Sequence, residues 1–430
     1  MTPETSDFRL QTYTGLQPSR TVLPNGLVVL SKQSTMTPAV AIHVAVRAGS
    51  SADPPGQAGT AWLLSRVIDR GTATRSATEI AEELDGRGIT LTVAVTRHLL
   101  SLVCTCLADD FEPVLTLLAD IVTSPSIPDE ELTTRRQQVI TAIRQDQDNP
   151  GVRATETLMA LLYPDGHPYG RPTKGTIDFV EAVSRERLVA LHSERFAPGV
   201  TTAVIVGDVE SSRAQAAAAR AFEPWRRPAA AEIAPPPVAR ATTRRRAVLP
   251  MMNKAQADIA YGFTTIARRD PRYYSYWLMN NVFGQYALGG RLGDSIRERQ
   301  GMAYYVSSSL DANVVEGPLV VRAGVSPANV DRAVASIDDE VRTLVTDGIT
   351  QQELDDSRQF LIGSIPRALE TNAAIANFLQ TAEFFGLGLD YDARLPDLLR
   401  AVTLDQVNAA ARDAVAVDRA TVVIAGPYAG

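Results

Sequence analysis

Cysteine and histidine are scarce in this chain of 430 residues, which has two cysteines and four histidines. Cys104 and Cys106 stand two residues apart in an apolar run typical of a strand, where both thiols point to one face and are poorly placed to bridge each other. The histidines are scattered, and no two of them have the helical spacing of three or four residues that zinc ligands often show. The composition therefore predicts neither a disulfide framework nor a finger-type zinc site.

The chain also lacks an excess of basic residues and any long apolar run. Lys and Arg number 42 against 49 Asp and Glu, a net charge of −7, which argues against a nucleic-acid or anionic-membrane binder. No stretch of about 18 uninterrupted apolar residues predicts a membrane span, and the N-terminus shows no secretory signal pattern. We expect a soluble cytoplasmic protein; a periplasmic or secreted protein with its signal trimmed would look the same.

One segment differs in composition from the rest of the chain and marks a boundary. Residues 226–246 contain consecutive prolines at 235–237 and consecutive arginines at 244–246. Consecutive prolines favour an extended polyproline conformation and are excluded from helices and central strands. Because no aromatic residues interleave with the arginines, we interpret the segment as a solvated linker and not as a nucleic-acid patch. It predicts an N-terminal half of residues 1–225 and a C-terminal half of residues 247–430.

The two halves carry the same order of apolar elements. In each half an apolar strand is followed by an apolar helix that contains a Trp and, near the end of the half, by a short apolar strand. In the first half these are 39–46, the helix with Trp62, and 203–206. In the second half they are 257–262, the helix with Trp277, and 421–424. A repeat of this length lies outside solenoid periods and indicates a duplicated domain. Hairpin-like strand pairs beside long helices predict an α+β fold of two duplicated α/β-sandwich domains, each a mixed, largely antiparallel sheet with helices packed on one face.

Several short motifs are informative as an ordered set. They are Leu-Pro-Asn-Gly-Leu at 23–27, Gly-Thr at 71–72, His-Pro-Tyr-Gly at 167–170, Gly-Gly-Arg-Leu at 289–292 and Gly-Met-Ala-Tyr at 301–304. Together they resemble the pitrilysin (insulinase-like) family of zinc peptidases, and the resemblance extends from Arg20 to Pro427. That family includes the mitochondrial processing peptidase subunits and paired bacterial relatives.

The resemblance also identifies where the family's zinc ligands would stand. Active members carry the motif H-x-x-E-H on the first helix of the N-terminal half, where two imidazoles bind zinc and the Glu activates a water molecule. A further Glu, on a later helix, completes the three protein ligands. Here Trp62, Ser65 and Arg66 hold the positions of the His, Glu and second His, and Ala142 holds that of the later Glu. The resemblance implies no metal or cofactor in this chain, with zinc expected in a partner subunit.

The second half departs less from the family pattern. The resemblance implies that Arg297 and Tyr304 act in trans, Arg297 holding the substrate backbone and the Tyr304 hydroxyl donating to the developing oxyanion. It also implies that the glycine-rich loop containing Gly289 and Gly290 binds substrate. On spacing alone, the alternative remains that Arg297 forms a surface salt bridge and Tyr304 is a half-buried strand aromatic.

These implications lead to one principal hypothesis and two alternatives. The chain is predicted to be the non-catalytic, zinc-less subunit of a heterodimeric zinc metalloendopeptidase, with a zinc-bearing paralogous partner and unfolded peptides as substrates. The first alternative is a pseudopeptidase that serves as a scaffold or peptide-binding module, as in the core subunits of the respiratory bc1 complex. Hydrolysis by the chain alone is the weakest option, because the H-x-x-E-H motif is absent.

Overall fold

The computed structural model describes residues 15–228, 234–285 and 289–430. The described residues before 226 form the strands β1 (Ser19–Val22), β2 (Val28–Gln33), β3 (Ala39–Val46), β4 (Thr92–Val95), β5 (Leu100–Leu107) and β6 (Thr201–Gly207), and the helices α1 (Thr60–Val67), α2 (Ala77–Asp85), α3 (Phe111–Thr123), α4 (Asp129–Gln147), α5 (Pro150–Leu162), α6 (Ile177–Ala182), α7 (Arg185–Arg195) and α8 (Ser211–Phe222).

The described residues after 244 form a second set of elements. Its strands are β7 (Arg245–Pro250), β8 (Ala257–Thr264), β9 (Ala303–Leu310), β10 (Pro318–Val325) and β11 (Thr421–Gly426), and its helices are α9 (Tyr273–Asn280), α10 (Val330–Thr346), α11 (Gln351–Ala368), α12 (Asn372–Phe385), α13 (Tyr391–Arg400) and α14 (Leu404–Ala414). Asn281–Gln285 and Gly293–Arg299 form wider π-helical turns. Among the helices described, none combines the length and the apolar character needed to cross a membrane.

The strands form two sheets with the same topology. The first sheet has the order β1-β2-β6-β3-β5-β4 and the second β7-β11-β8-β10-β9. Apart from the additional edge strand β1, each strand of the first sheet has a counterpart in the second. The pairs β2–β6 and β7–β11 are parallel, and the other neighbours are antiparallel. The predicted α+β fold with two duplicated, mixed sheets is confirmed.

The segment 226–246 lies between α8 and β7, and its last two residues are the first two of β7. Polar contacts tie it to both halves. The carbonyl oxygen of Pro236 lies 2.9 Å from His167 Nε2 in the first half. Arg240 donates to Asp413 in the second half, with Nη1 at 2.8 Å from Oδ1. Within its described part, the segment is therefore held against the protein at more than one point.

Each sheet is covered on one face by helices of its own half and on the other face by a helix from the opposite half. α5 packs on β8 and β11 of the second sheet through Ala154, Leu158 and Leu162. α12 packs on β3 and β6 of the first sheet through Ile375 and Leu379. Because these contacts bury apolar side chains in both directions, the exchange of α5 and α12 fastens the two halves together.

Three of the four histidines are buried, and His192 is one of them. Its Nε2 lies 2.9 Å from the carbonyl oxygen of Val122, which can only accept, so Nε2 carries the proton. Nδ1 lies 3.4 Å from Arg227 Nη1. Burial lowers the pKa of His192 to about 4, and the positive charge of Arg227 also lowers it. The hydrogen bond to Val122 acts in the opposite direction. His192 is therefore neutral in the folded protein at neutral pH.

We expect His192 to make the protein sensitive to acid. Its pKa is about 4 when folded and near 6.5 in the unfolded chain, so its contribution to the free energy of unfolding is complete above pH 6.5 and is lost as the pH falls towards 4. His192→Gln keeps an amide donor for Val122 but does not titrate. It should flatten the pH dependence of unfolding by up to about 1.4 kcal/mol per pH unit, measured by urea denaturation at several pH values.

The control for this experiment is His192→Asn, whose shorter amide fits the site less well. Its absolute stability should differ from that of the Gln variant, whereas its slope against pH should be the same. A slope equal to that of the wild-type protein in both variants would contradict the prediction.

Candidate functional site

The residues predicted to stand at the metal-motif positions lie on helix α1, and a buried carboxylate fixes the first turn of this helix. Asp53 accepts hydrogen bonds from the backbone N–H groups of Gly59 and Ala61, both at 2.8 Å. Burial raises the pKa of Asp53 to about 6, although these hydrogen bonds act in the opposite direction. Gly59 has a φ of +101°, and a Cβ atom there would lie 2.6 Å from the carbonyl oxygen of Lys174. Glycine thus allows Lys174 to approach the start of α1.

The three residues at the metal-motif positions of α1 contact one another. The guanidinium carbon of Arg66 lies 4.8 Å from the centroid of the Trp62 ring. Arg66 Nε donates to Ser65 Oγ at 3.1 Å, and Ser65 Oγ donates to the Trp62 carbonyl oxygen at 2.7 Å. Arg66 Nη2 also donates to the carbonyl oxygen of Val93 in β4, at 2.7 Å. Trp62, Ser65 and Arg66 therefore form a connected group, which we call the α1 cluster.

The surroundings of the α1 cluster do not suit a metal cation. Lys174 Nζ lies 5.7 Å from the centroid of the Trp62 ring and 2.6 Å from Asp146 Oδ2. Ala142 lies on α4, one helical turn before Asp146, and offers no ligand. At the four positions expected for the ligands and the water-activating Glu stand an indole, a hydroxyl, a guanidinium and a methyl group in place of imidazoles and carboxylates, and Lys174 adds a second cation nearby, so these residues do not fit zinc. Within the part of the chain that the structure describes, no three His, Cys, Asp or Glu residues are grouped as a metal site requires.

In the second half, Arg297 lies in the π-helical turn Gly293–Arg299, which leads into β9. Gly301 ends this turn with a φ of +61°, and its N–H donates to the Arg297 carbonyl oxygen at 3.1 Å. The Arg297 side chain is 46 % exposed, and its Nε lies 3.8 Å from a carboxylate oxygen of the adjacent Glu298. An exposed ion pair at this distance is weak, so the guanidinium is available to another partner.

Tyr304 stands at an irregularity of the edge strand β9. Ala303 pairs with Val325 of β10 and Tyr305 pairs with Gly324, so Tyr304 has no counterpart in the register. Such an extra residue is a β-bulge, which redirects a side chain and often lies beside a functional site. The Tyr304 residue is 66 % exposed, in contrast to a half-buried strand aromatic. Its hydroxyl therefore faces solvent at the start of β9.

Models of one known family match both halves of the chain. The model described as insulinase (peptidase family M16) matches residues 28–176, and the model described as peptidase M16 inactive domain matches residues 182–361. The chain belongs to peptidase family M16. The inactive-domain match and a relative named as a non-peptidase homologue support a zinc-less member of this family.

The relatives of this M16 chain carry different names. An uncharacterised zinc protease of Streptomyces coelicolor is 25 % identical over 95 % of this chain and 89 % of its own length. A non-peptidase homologue of Helicobacter pylori is 24 % identical over 88 % of this chain and 87 % of its own length. A crystal structure described as the peptidase M16 inactive domain from Pseudomonas fluorescens is 26 % identical, with a TM-score of 0.88 over 96 % of this chain and 99 % of that one. Chains similar to this one are thus named both as a zinc protease and as a non-peptidase homologue.

Two neighbouring cavities in this M16 chain adjoin helix α5. Two cavities, of about 330 Å³ and about 750 Å³, share the lining residues Val152, Thr155 and Glu156 of α5. The first cavity reaches Trp62 of the α1 cluster, and the second reaches Tyr305 of β9. Burial raises the pKa of Glu156. The structure therefore places α1 and β9 beside two cavities that share one face of α5.

Sequence reasoning did not identify Tyr305 and Asp258, which line the second cavity. The Tyr305 hydroxyl donates to Asp258 Oδ1 at 2.5 Å, and Gln256 Nε2 donates to the same oxygen at 3.1 Å. Burial and the hydrogen bond to Asp258 raise the pKa of Tyr305. Tyr305 is thus anchored, whereas its neighbour Tyr304 projects into solvent. The adjacent tyrosines look alike in sequence, and only the long-range contact with β8 distinguishes them.

The two glycines predicted to bind substrate differ in their surroundings. Gly290 is buried, and a Cβ atom there would lie 3.0 Å from the Cα atom of Gly284. Its lack of a side chain therefore has a sufficient explanation in backbone packing. Gly289 is exposed, and substrate binding by this residue stays a prediction. The preceding residues of the glycine-rich loop, 286–288, lie outside the described residues.

Proposed function

We propose that this chain is the zinc-less subunit of a heterodimeric zinc metalloendopeptidase of the M16 family. Its partner is a zinc-bearing paralogous chain, and its substrates are unfolded peptides. Arg297 and Tyr304 enter the active centre of the partner, where they bind the substrate backbone and stabilise negative charge. The observation that carries the proposal is the exposure of Tyr304 at a β-bulge next to the turn that holds Arg297.

The contrast between the two adjacent tyrosines supports this role. The Tyr305 hydroxyl donates a hydrogen bond to Asp258 of the same chain, whereas the Tyr304 residue is 66 % exposed. Gly301, with a positive φ, lies between the π-helical turn that holds Arg297 and the start of β9 at Ala303, so Arg297 and Tyr304 lie on either side of it. An accessible phenol and an accessible guanidinium in one short segment suit groups that act on a ligand brought by another chain.

The chemistry assigned to these two side chains is electrostatic. Arg297 donates to a carbonyl oxygen of the substrate backbone and holds the peptide in position. Tyr304 donates its hydroxyl proton in a hydrogen bond to the carbonyl oxygen that becomes negative as the peptide bond is attacked. The phenol keeps its proton, so the residue stabilises the transition state without exchanging protons with it. Neither role requires a metal ligand in this chain.

The proposal is tested by reconstitution. This chain is mixed with a zinc-bearing paralogue, and cleavage of an unstructured peptide is measured for wild-type protein and for Arg297→Ala. Hydrogen bonds that involve a charged group contribute about 1.5–3 kcal/mol, so kcat/KM should fall roughly 10- to 100-fold. Arg299→Ala is the matched control: Arg299 follows in the same turn and pairs with Asp294 at 2.9 Å, and its removal should leave cleavage unchanged.

Two outcomes would contradict the proposal. One is an Arg297→Ala complex that cleaves as well as the Arg299→Ala complex. The other is chelator-sensitive cleavage by this chain alone, which would require a metal site in it.

The relative named as a non-peptidase favours a second candidate function, a scaffold or peptide-binding module without a proteolytic role. The reconstitution experiment separates the two functions. A scaffold would associate with its partners without adding any activity that depends on Arg297.

A further inference from the structure

We infer that Arg66 closes the free edge of β4, so that a peptide strand cannot pair with the first sheet of this chain. β4 is the outermost strand of that sheet, at the end opposite β1. An open edge strand presents unpaired N–H and C=O groups, and extended peptides add to such edges through backbone hydrogen bonds. The inference deepens the proposed function and rests on it in one respect. With this edge closed, the substrate backbone is left to pair with the partner chain.

The pairing of β4 with β5 defines which backbone groups face the open edge. At the hairpin end, the Thr96 N–H donates to the Leu99 carbonyl oxygen at 2.8 Å. Hydrogen-bonded and non-hydrogen-bonded pairs alternate along antiparallel strands, so the pairs formed by Val95 and by Val93 are of the non-hydrogen-bonded kind. The N–H and C=O groups of Val93 therefore point away from β5, towards the free edge.

Arg66 occupies this outward carbonyl group. Its Nη2 donates to Val93 at 2.7 Å, and its side chain is held in place by the Trp62 ring and by Ser65 Oγ. Burial lowers the pKa of Arg66, but an arginine stays charged in proteins, so this is a charge-assisted hydrogen bond. An incoming peptide N–H would have to compete with the guanidinium for this carbonyl oxygen.

All three members of the α1 cluster take part in this closure. Trp62 provides a flat surface for the guanidinium, Ser65 orients Nε, and Arg66 reaches the strand. Lys174, which lies near the Trp62 ring and pairs with Asp146, adds a second cation at the same place. The residues at the predicted metal-motif positions therefore have a function of their own, which is to prevent a peptide from pairing with β4.

The test uses the purified full-length chain alone, so its outcome does not depend on a partner. The probe is an unstructured, fluorescein-labelled peptide rich in Val and Thr, which favour strands, and binding is followed by fluorescence anisotropy. We expect Arg66→Ala to bind the probe about tenfold more tightly than the wild-type chain, a difference of about 1.4 kcal/mol. Arg66→Met should behave in the same way, since it keeps an aliphatic stem on Trp62 but has no donor.

Two controls make the result specific to the edge. Arg136→Ala removes an arginine that donates to the Val183 carbonyl oxygen at 2.8 Å, outside the sheets, and should bind as the wild type does. The same peptide N-methylated at alternate residues cannot donate to Val93, and the Arg66 variants should bind it no better than the wild-type chain does. Hydrogen exchange should also show protection of residues 92–95 when the unmethylated peptide is added to either Arg66 variant.

The inference is overturned if both Arg66 variants bind the peptide no more tightly than the wild type, or if N-methylation makes no difference to them. Either result would leave the role of Arg297 and Tyr304 untouched, because that role is measured by cleavage in the reconstituted complex. Conversely, an inactive complex would leave the closure of β4 to be decided by the binding experiment.

Discussion

Replacing Tyr304 by Phe should lower kcat of the reconstituted peptidase by about 10²–10³-fold while KM changes little. The substitution removes one hydroxyl group and keeps the ring, and the loss of a single oxyanion donor has an effect of this size. Because the hydrogen bond strengthens only as charge develops on the substrate oxygen, the loss falls on the transition state and not on the bound ground state. Steady-state cleavage of an unstructured peptide by the mixed subunits measures it.

Tyr305→Phe is the matched control for Tyr304→Phe. It removes the same group from the next residue and breaks a hydrogen bond with Asp258 that lies within this chain. Its effect should appear in the free energy of unfolding, with kcat close to that of the wild type. If Tyr304→Phe retained wild-type kcat, or if the two variants lost activity equally, Tyr304 would not be the oxyanion donor.

Truncating Leu379 to Ala should lower the free energy of unfolding by about 2–5 kcal/mol. Leu379 is 1 % exposed and lies in α12, where it packs against Leu30 and Val204 of the first sheet. The cost includes both the apolar surface that is lost and the cavity that remains. Urea unfolding followed by tryptophan fluorescence measures the change. We expect a single transition, since α12 belongs to one half in sequence and to the other in packing.

Asn377→Ala is the control on the same helix. Asn377 is exposed, so its replacement should change the stability by no more than about 0.5 kcal/mol. If Leu379→Ala were as mild as Asn377→Ala, or if it produced two separate transitions, α12 would not fasten the halves together.

The duplication and the fold class were predictable because they depend on local pattern. The strand expected at 257–262 is β8, and its counterpart at 39–46 is β3. The exchange of α5 and α12 was not predictable in the same way. Leu158 and Leu379 show that each helix has an apolar face, but an apolar face fits either sheet equally well. The choice of sheet is decided by the packing of the whole chain.

That Trp62 and Arg66 cannot hold zinc could be predicted from the sequence, because neither an indole nor a guanidinium can replace an imidazole as a zinc ligand. What these residues do instead could not be predicted. The contact between Arg66 and Val93 depends on which way a carbonyl group points in a strand 27 residues further along the chain. The bulge at Tyr304 depends likewise on the register between β9 and β10. Both are properties of strand pairing, which a single sequence specifies only weakly.

The exchange of α5 and α12 has a consequence for the order in which the protein can mature during synthesis. The strands of the first sheet are complete once β6 has left the ribosome, but the helix that covers their second face is made only at residues 372–385. α5 in turn waits with its apolar face uncovered until β11 is made near the C-terminus. A growing chain therefore exposes two apolar surfaces, the second face of the first sheet and the apolar face of α5. Chaperones are commonly needed in such a state. Expressed separately, either half would lack a helix that it needs and keep one that it cannot use.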